Sequence, residues 1–99
     1  MSYRHIYDPI AFLEYRDAVT WYAERSEAAA LNLVKEIKQK IVVICKDPLR
    51  YRKTYKKFRE TSLAIYPYSI IYLIDENAKT IIIASVYHHK QNPRRKFKK

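Results

Sequence analysis

The chain has 99 residues, a formal charge of +10 and one cysteine. That length suits one compact domain, residues 1–99, and leaves no room for two. The lone Cys45 excludes an internal disulfide, and the longest apolar runs, such as Ile41–Cys45, are, like Ile81–Ala84, far too short to span a membrane.

Tyr3–Tyr7 is β-branched and aromatic and predicts a first strand. Asp8-Pro9 reads as a helix start, with Asp8 as N-cap and Pro9 at the first helical position. Phe12, Tyr15, Val19 and Tyr22 then recur at steps of three and four. They predict an apolar stripe on a helix of about 16 residues, with Glu14, Arg16, Asp17, Glu24 and Arg25 on its other faces. Ser26 is the next N-cap, followed by Glu27 in the first turn, where a carboxylate favours the helix dipole. Ala30, Val34, Ile37, Ile41 and Ile44, widened by Leu33 and Val42, make the strongest helical pattern, which Lys46-Asp47-Pro48 ends. A one-residue joint between the two predicts an antiparallel helical hairpin.

Leu49–Lys57 reads as a basic, tyrosine-bearing connection, and Phe58–Ile65 as a strand broken by Tyr66-Pro67. Tyr68–Ile74 is a clear strand by β-propensity. Asp75–Lys79 predicts a hairpin loop, with Asn77 as the left-handed residue in a chain that has no glycine. Thr80–Tyr87 is the most apolar strand, and residues 88–99 form a basic tail. The expected architecture is α+β: an N-terminal strand and a helical hairpin packed on one face of an antiparallel sheet, in the order β-α-α-β-β-β. One helical hairpin covers one face of such a sheet, so the other is expected to be open. Toward the end of the last strand, two-residue alternation turns the odd positions Ser85, Tyr87 and His89 to the open side and His88 to the helices. At the strand that starts at Phe58, Lys57, Arg59 and Thr61 share one face and Phe58 the other.

The charge is lopsided. Residues 1–49 carry seven Lys/Arg and seven Asp/Glu, whereas residues 50–99 carry thirteen and three. A basic half attracts polyanions such as nucleic acid or an acidic protein segment. The first twenty residues include Arg4, Asp8, Glu14, Arg16 and Asp17, which speaks against a secretory leader; with the single cysteine this predicts a cytoplasmic protein.

His88-His89 titrate near neutral pH and are candidates for acid–base chemistry; the alternative is one packed and one solvated histidine. Lys57, Arg59, Lys90, Arg94, Arg95 and Lys96, interleaved with Tyr87 and Phe97, suit phosphate contact and ring stacking, or else a solubilising surface. Glu60 reads as an ion-pair partner of a neighbouring Lys or Arg, and Cys45 as core. Three histidines and one cysteine at non-ligand spacing predict no metal site, and a chain without glycine has no phosphate-cradling loop. No cofactor is expected.

Trp21-Tyr22, Asp47-Pro48, Tyr51-Arg52, Phe58-Arg59, the run Tyr66–Asp75 and the run Ile81–Pro93 occur in an order that resembles the RelE/ParE superfamily of bacterial toxins from type II toxin–antitoxin systems. The closest branch is the ParE-like one, often named plasmid stabilisation proteins. The resemblance covers nearly the whole chain. It implies a toxin neutralised by a cognate antitoxin, expected to be small and acidic. ParE-type members poison DNA gyrase, and RelE-type members cleave ribosome-bound mRNA. His88 and Asn92-Pro93 match the ParE-like ending, where Gln91 replaces a common arginine, and Arg59 matches a basic strand residue. RelE-type ribonucleases use an arginine near the position of Ala64, which cannot bind phosphate. The resemblance therefore favours a gyrase-binding toxin. The alternatives are a metal-independent mRNA endonuclease using His88, His89, Arg59 and Tyr87, and a non-toxic nucleic-acid-binding module.

Overall fold

The computed structural model describes residues 2–90. Strand β1 (Arg4–Tyr7) leads into helix α1 (Pro9–Ala23) and helix α2 (Glu27–Lys46). Strands β2 (Lys53–Tyr55), β3 (Phe58–Ser62), β4 (Tyr68–Asp75) and β5 (Thr80–His88) follow. Both predicted N-caps form: the Asp8 carboxylate accepts from the Ile10 N–H at 2.9 Å and the Ser26 hydroxyl from the Ala29 N–H at 3.1 Å.

The sheet is five-stranded in the order β1-β5-β4-β3-β2. The last four strands form an antiparallel meander, whereas β1 lies parallel to β5, with Arg4 opposite Thr80 and Tyr7 opposite Ile83. The sheet is thus mixed: the helical hairpin and then strands β2–β4 intervene between β1 and β5, and after their successive reversals β5 runs in the direction of β1. Lys53–Tyr55, expected as connection, is an edge strand. All three residues are exposed, so no apolar alternation marks them. Among the described residues the left-handed ones are Lys56 (φ 48°) and Lys79 (φ 50°) rather than Asn77. The Asp75 carboxylate accepts from the Ala78 N–H at 3.1 Å, which closes the loop early and leaves the reversal to Lys79.

The helices pack on one face of the sheet. Leu33, Ile37, Ile41 and Ile44 of α2 meet Ile70, Tyr72, Ile81, Ile83 and Val86. On α1 the deepest residues are Ala11 and Ala18, while Phe12 is half exposed. The stripe is rotated from the one its large residues predict, because small side chains let the helix approach β5 closely, and Tyr15, Val19 and Tyr22 flank the contact. In β5 the alternation changes phase. Ile71 lies opposite Ser85 and Tyr72 opposite Ile83, so Ala84 is a bulged extra residue. Ile81 and Ile83 therefore face the helices, as does Val86, while Ala84 and Tyr87 face away. The side without helices is not bare there: Ile71, Ala84 and Tyr87 are buried in a second small cluster with Phe58.

Two carboxylates tie the helices to sheet backbone. Beyond Ile83 strand β5 has lost β1 as a neighbour, and Glu14 of α1 accepts from the Ser85 hydroxyl at 2.8 Å and the Val86 N–H at 3.1 Å. Glu36 of α2 accepts from the N–H groups of Ala64, Ile65 and Tyr66 at 2.8, 3.1 and 3.4 Å. It thereby holds the β3–β4 turn, whose Tyr66 hydroxyl donates to the Ala29 carbonyl at 2.6 Å. At the far end of the sheet the fully buried Tyr72 donates to the Pro48 carbonyl at 2.7 Å.

Burial pushes the Tyr72 phenol up to about 12, against the lowering pull of the Arg59 guanidinium. Burial, with Tyr15 beside it, also pushes Tyr7 up to about 12. The folded chain favours these phenols neutral, so their contribution to stability is complete below pH 10.0, the ordinary tyrosine value, and is lost as pH rises toward 12. Urea midpoints are therefore expected to fall between pH 10 and 12, less steeply in Tyr72→Phe, and an equal slope in that variant would refute the assignment. At neutral pH Tyr72→Phe strands a buried carbonyl and is expected to cost about 1–3 kcal/mol. Ala11→Leu is expected to cost about 1–3 kcal/mol by overpacking the α1–β5 contact; a wild-type urea midpoint would show that the contact is loose.

Candidate functional site

The sequence singled out His88, His89, Arg59 and Tyr87 as candidate catalytic side chains. The structure divides them between the two faces of the sheet. His89 lies on the side without helices, its Nε2 at 3.0 Å from the Ser69 hydroxyl, which is 3.1 Å from that of Ser62. Tyr87 is on the same side, in the cluster with Ile71, Ala84 and Phe58. His88 faces the helices, with its ring edge-on to Tyr68 at 4.9 Å. Its Nδ1 accepts from the Lys90 N–H at 3.0 Å.

Arg59 pairs with Tyr72 across β3 and β4, so it also faces the helix side. It is half-buried, and its guanidinium donates to the Tyr51 carbonyl at 2.7 Å, pinning the loop after α2. His88 lies opposite Tyr68, four residues along β4 from Tyr72, or about 13 Å at strand rise. Arg59 and His88 therefore serve different ends of the sheet.

The cations singled out from the sequence are also spread. Lys57 sits in the β2–β3 turn and Lys90 just beyond β5, at opposite ends of the strands, both exposed. Arg94, Arg95 and Lys96, with Gln91, Asn92, Pro93 and Phe97, lie outside the described residues. Glu60 accepts from the Thr54 hydroxyl at 3.3 Å. Cys45 is buried at the end of α2, and burial raises its thiol pKa. Among the described residues no cluster of His, Cys, Asp and Glu could hold a metal ion, and no helix is long and apolar enough to cross a membrane.

His88 instead joins a cleft of about 420 Å³ between α1 and the end of β5. Its acidic wall is Glu14 and Asp17, and its rings are Trp21, Tyr22, Tyr68 and His88. Trp21 is half exposed and stands edge-on to Tyr22 at 4.9 Å. The Arg25 guanidinium lies over its ring at 3.6 Å and donates to its carbonyl at 2.7 Å. Sequence reasoning placed Glu14 and Asp17 on solvated faces and gave Trp21 no role. The 14, 17, 18, 21 spacing does mark a single helical face. What the sequence hid is that this face borders the stretch of β5 that β1 leaves free. A second cleft, of about 540 Å³, runs between β1 and the helices and includes Tyr3, Tyr7, Tyr15, Ile41, Val42 and Cys45.

The fold has solved counterparts. A chain of the chromosomal ParDE toxin–antitoxin system from P. aeruginosa superposes with a TM-score of 0.74 at 14% identity, covering 88% of this chain and 96% of that one. The isolated E. coli RelE toxin gives a TM-score of 0.65 at 14% identity, covering 95% and 92%. A chain of the intact E. coli RelBE toxin–antitoxin complex gives 0.66 at 15% identity, covering 91% and 100%. Identities this low carry the fold alone. No curated protein matches the sequence significantly. Family assignment comes from the sequence itself: residues 4–93 match the family model of the ParE toxin of the type II toxin–antitoxin system, parDE. The chain belongs to the ParE toxin family of type II toxin–antitoxin systems.

Proposed function

We propose that this toxin acts by binding DNA gyrase, without cutting nucleic acid, and is held inactive by a small antitoxin with an acidic segment. The observation that carries this reading is the dispersal of the candidate catalytic groups. A metal-free ribonuclease needs a base, an acid and phosphate-binding cations around one phosphate. Here Tyr87 and His89 stand on one face, His88 and Arg59 on the other, and Arg59 is engaged with backbone. Ala64 occupies the position where the RelE-type resemblance calls for an arginine, and its N–H is bound by Glu36. A docking role needs no such convergence.

Three further features support a protein partner. The solved counterparts include toxin–antitoxin complexes. The helices expose Ile10, Leu13 and Trp21 on α1 and Leu31 and Val42 on α2, each about half exposed or more, apolar side chains that a docked partner would cover. The basic second half of the chain would speed capture of an acidic segment, which folds on docking as a helix in a groove or as an added strand. The cytoplasm, where gyrase works, is the compartment this reading requires.

One observation favours the endonuclease alternative: the His89–Ser69–Ser62 line beside Tyr87 is a polar strip on the side without helices. The two readings part experimentally. Expression of the chain alone is expected to arrest growth, with rescue by the co-expressed antitoxin. Purified protein is expected to inhibit gyrase supercoiling at micromolar concentration while transcripts stay intact. Unaffected supercoiling, with mRNA cuts that disappear in His89→Ala or His88→Ala, would transfer the function to RNA cleavage. Expression that leaves growth unharmed, with salt-sensitive binding to DNA or RNA, would instead mark a nucleic-acid-binding module.

A further inference from the structure

We propose that the cleft between α1 and the end of β5 receives an arginine side chain of the antitoxin; this rests on the partner reading above. In a chain of net charge +10, this cleft has the opposite character. Two carboxylates, Glu14 and Asp17, stand among the rings of Trp21, Tyr22 and Tyr68 around about 420 Å³ of space. Carboxylates beside aromatic faces recognise a cation that is also flat: a guanidinium stacks on a ring and donates to oxygen along its edge. An ammonium has no planar face to stack.

The molecule already shows this preference at the rim. The Arg25 guanidinium rests 3.6 Å from the centre of the Trp21 ring, yet Arg25 does not line the cleft. Glu14 uses one oxygen for Ser85 and Val86, and a carboxylate has further acceptor sites beyond those two bonds. Asp17 pairs with exposed Arg16 at 3.3 Å, and an exposed pair of this kind yields readily to a better-placed partner. The His88 Nδ1 accepts the Lys90 backbone N–H at the edge of the cleft. An acidic antitoxin drawn to the basic half would insert its arginine at the point of opposite sign, which fixes register and orientation.

The chain has one tryptophan, and it lines the cleft, so its indole N–H resonance reports occupancy. N-acetyl-arginine amide, titrated at constant ionic strength, is expected to shift that resonance saturably in the millimolar range. The neutral isostere N-acetyl-citrulline amide is expected to leave it unmoved. Asp17→Asn, a change at an exposed side chain that leaves Glu14 in place, is expected to weaken the arginine titration about two- to fivefold. No saturable shift, an equal shift by the citrulline amide, or an unchanged titration in Asp17→Asn would each overturn the site. Co-purification of the antitoxin is scored separately: its failure removes the partner reading, whereas failure of the titration removes only the cleft.

Discussion

The helical layer and the sheet are joined by a carboxylate from each helix that bonds to backbone no strand can serve. A strand that runs past its neighbour, and a turn that leaves the sheet, both present N–H groups that must find acceptors. Glu14 answers the first need at the Val86 N–H and takes the Ser85 hydroxyl as well, and Glu36 answers the second at Ala64, Ile65 and Tyr66. Apolar packing presses the layers together without fixing their angle or slide. These two acids do fix it, because each aims at a particular set of donors. Charge-assisted hydrogen bonds are directional and stronger than neutral ones, and Glu14 and Glu36 come from different helices to the same end of the sheet, where β4 starts and β5 finishes.

From that attachment the two clefts follow. Where α1 is drawn to β5 by Glu14, the helix passes beside the end of the strand and leaves the aromatic space lined by Trp21, Tyr22, Tyr68 and His88. Where β1 meets the hairpin, the Tyr3 N–H donates to the Cys45 carbonyl at 2.9 Å, and the second cleft opens between them. Both lie on the helix side of the molecule. The basic residues gather in the second half of the chain instead, so apolar recognition and charge attraction come from different parts of one small domain.

The sequence was legible where a residue's type forces its local role. Asp8-Pro9 and Ser26 start helices whatever surrounds them, and the β-branched runs in β4 and β5 pair as expected. It was illegible where geometry between elements decides. Nothing in Thr80–Tyr87 marks Ala84 as bulged, because the bulge is defined by Ile71 and Tyr72 on the partner strand. Counting strictly by twos placed Tyr87, His88 and His89 correctly, but Ala84 lies on the side without helices, Ile81 and Ile83 face the helices, and the Ser85 hydroxyl is taken by Glu14 of α1. Ala11 and Ala18 carry little hydrophobic signal and still form the closest contact. Lys53–Tyr55 became a strand because Phe58 and Arg59 were there to pair with. The candidate site suffered most: Glu14 and Asp17 look like surface charge until β5 is known to end beside them.

The pairing of β1 with β5 has a consequence for synthesis. Arg4 and its neighbours form the first strand to be made, but their hydrogen-bonding mates, Thr80 through Ile83, belong to the last strand of the sheet. The hairpin can coil as it emerges, since its bonds are local. The sheet cannot close until the last strand has cleared the ribosome, because its edge depends on contacts of high sequence separation. A poison assembled in this order is not whole until its final strand has emerged.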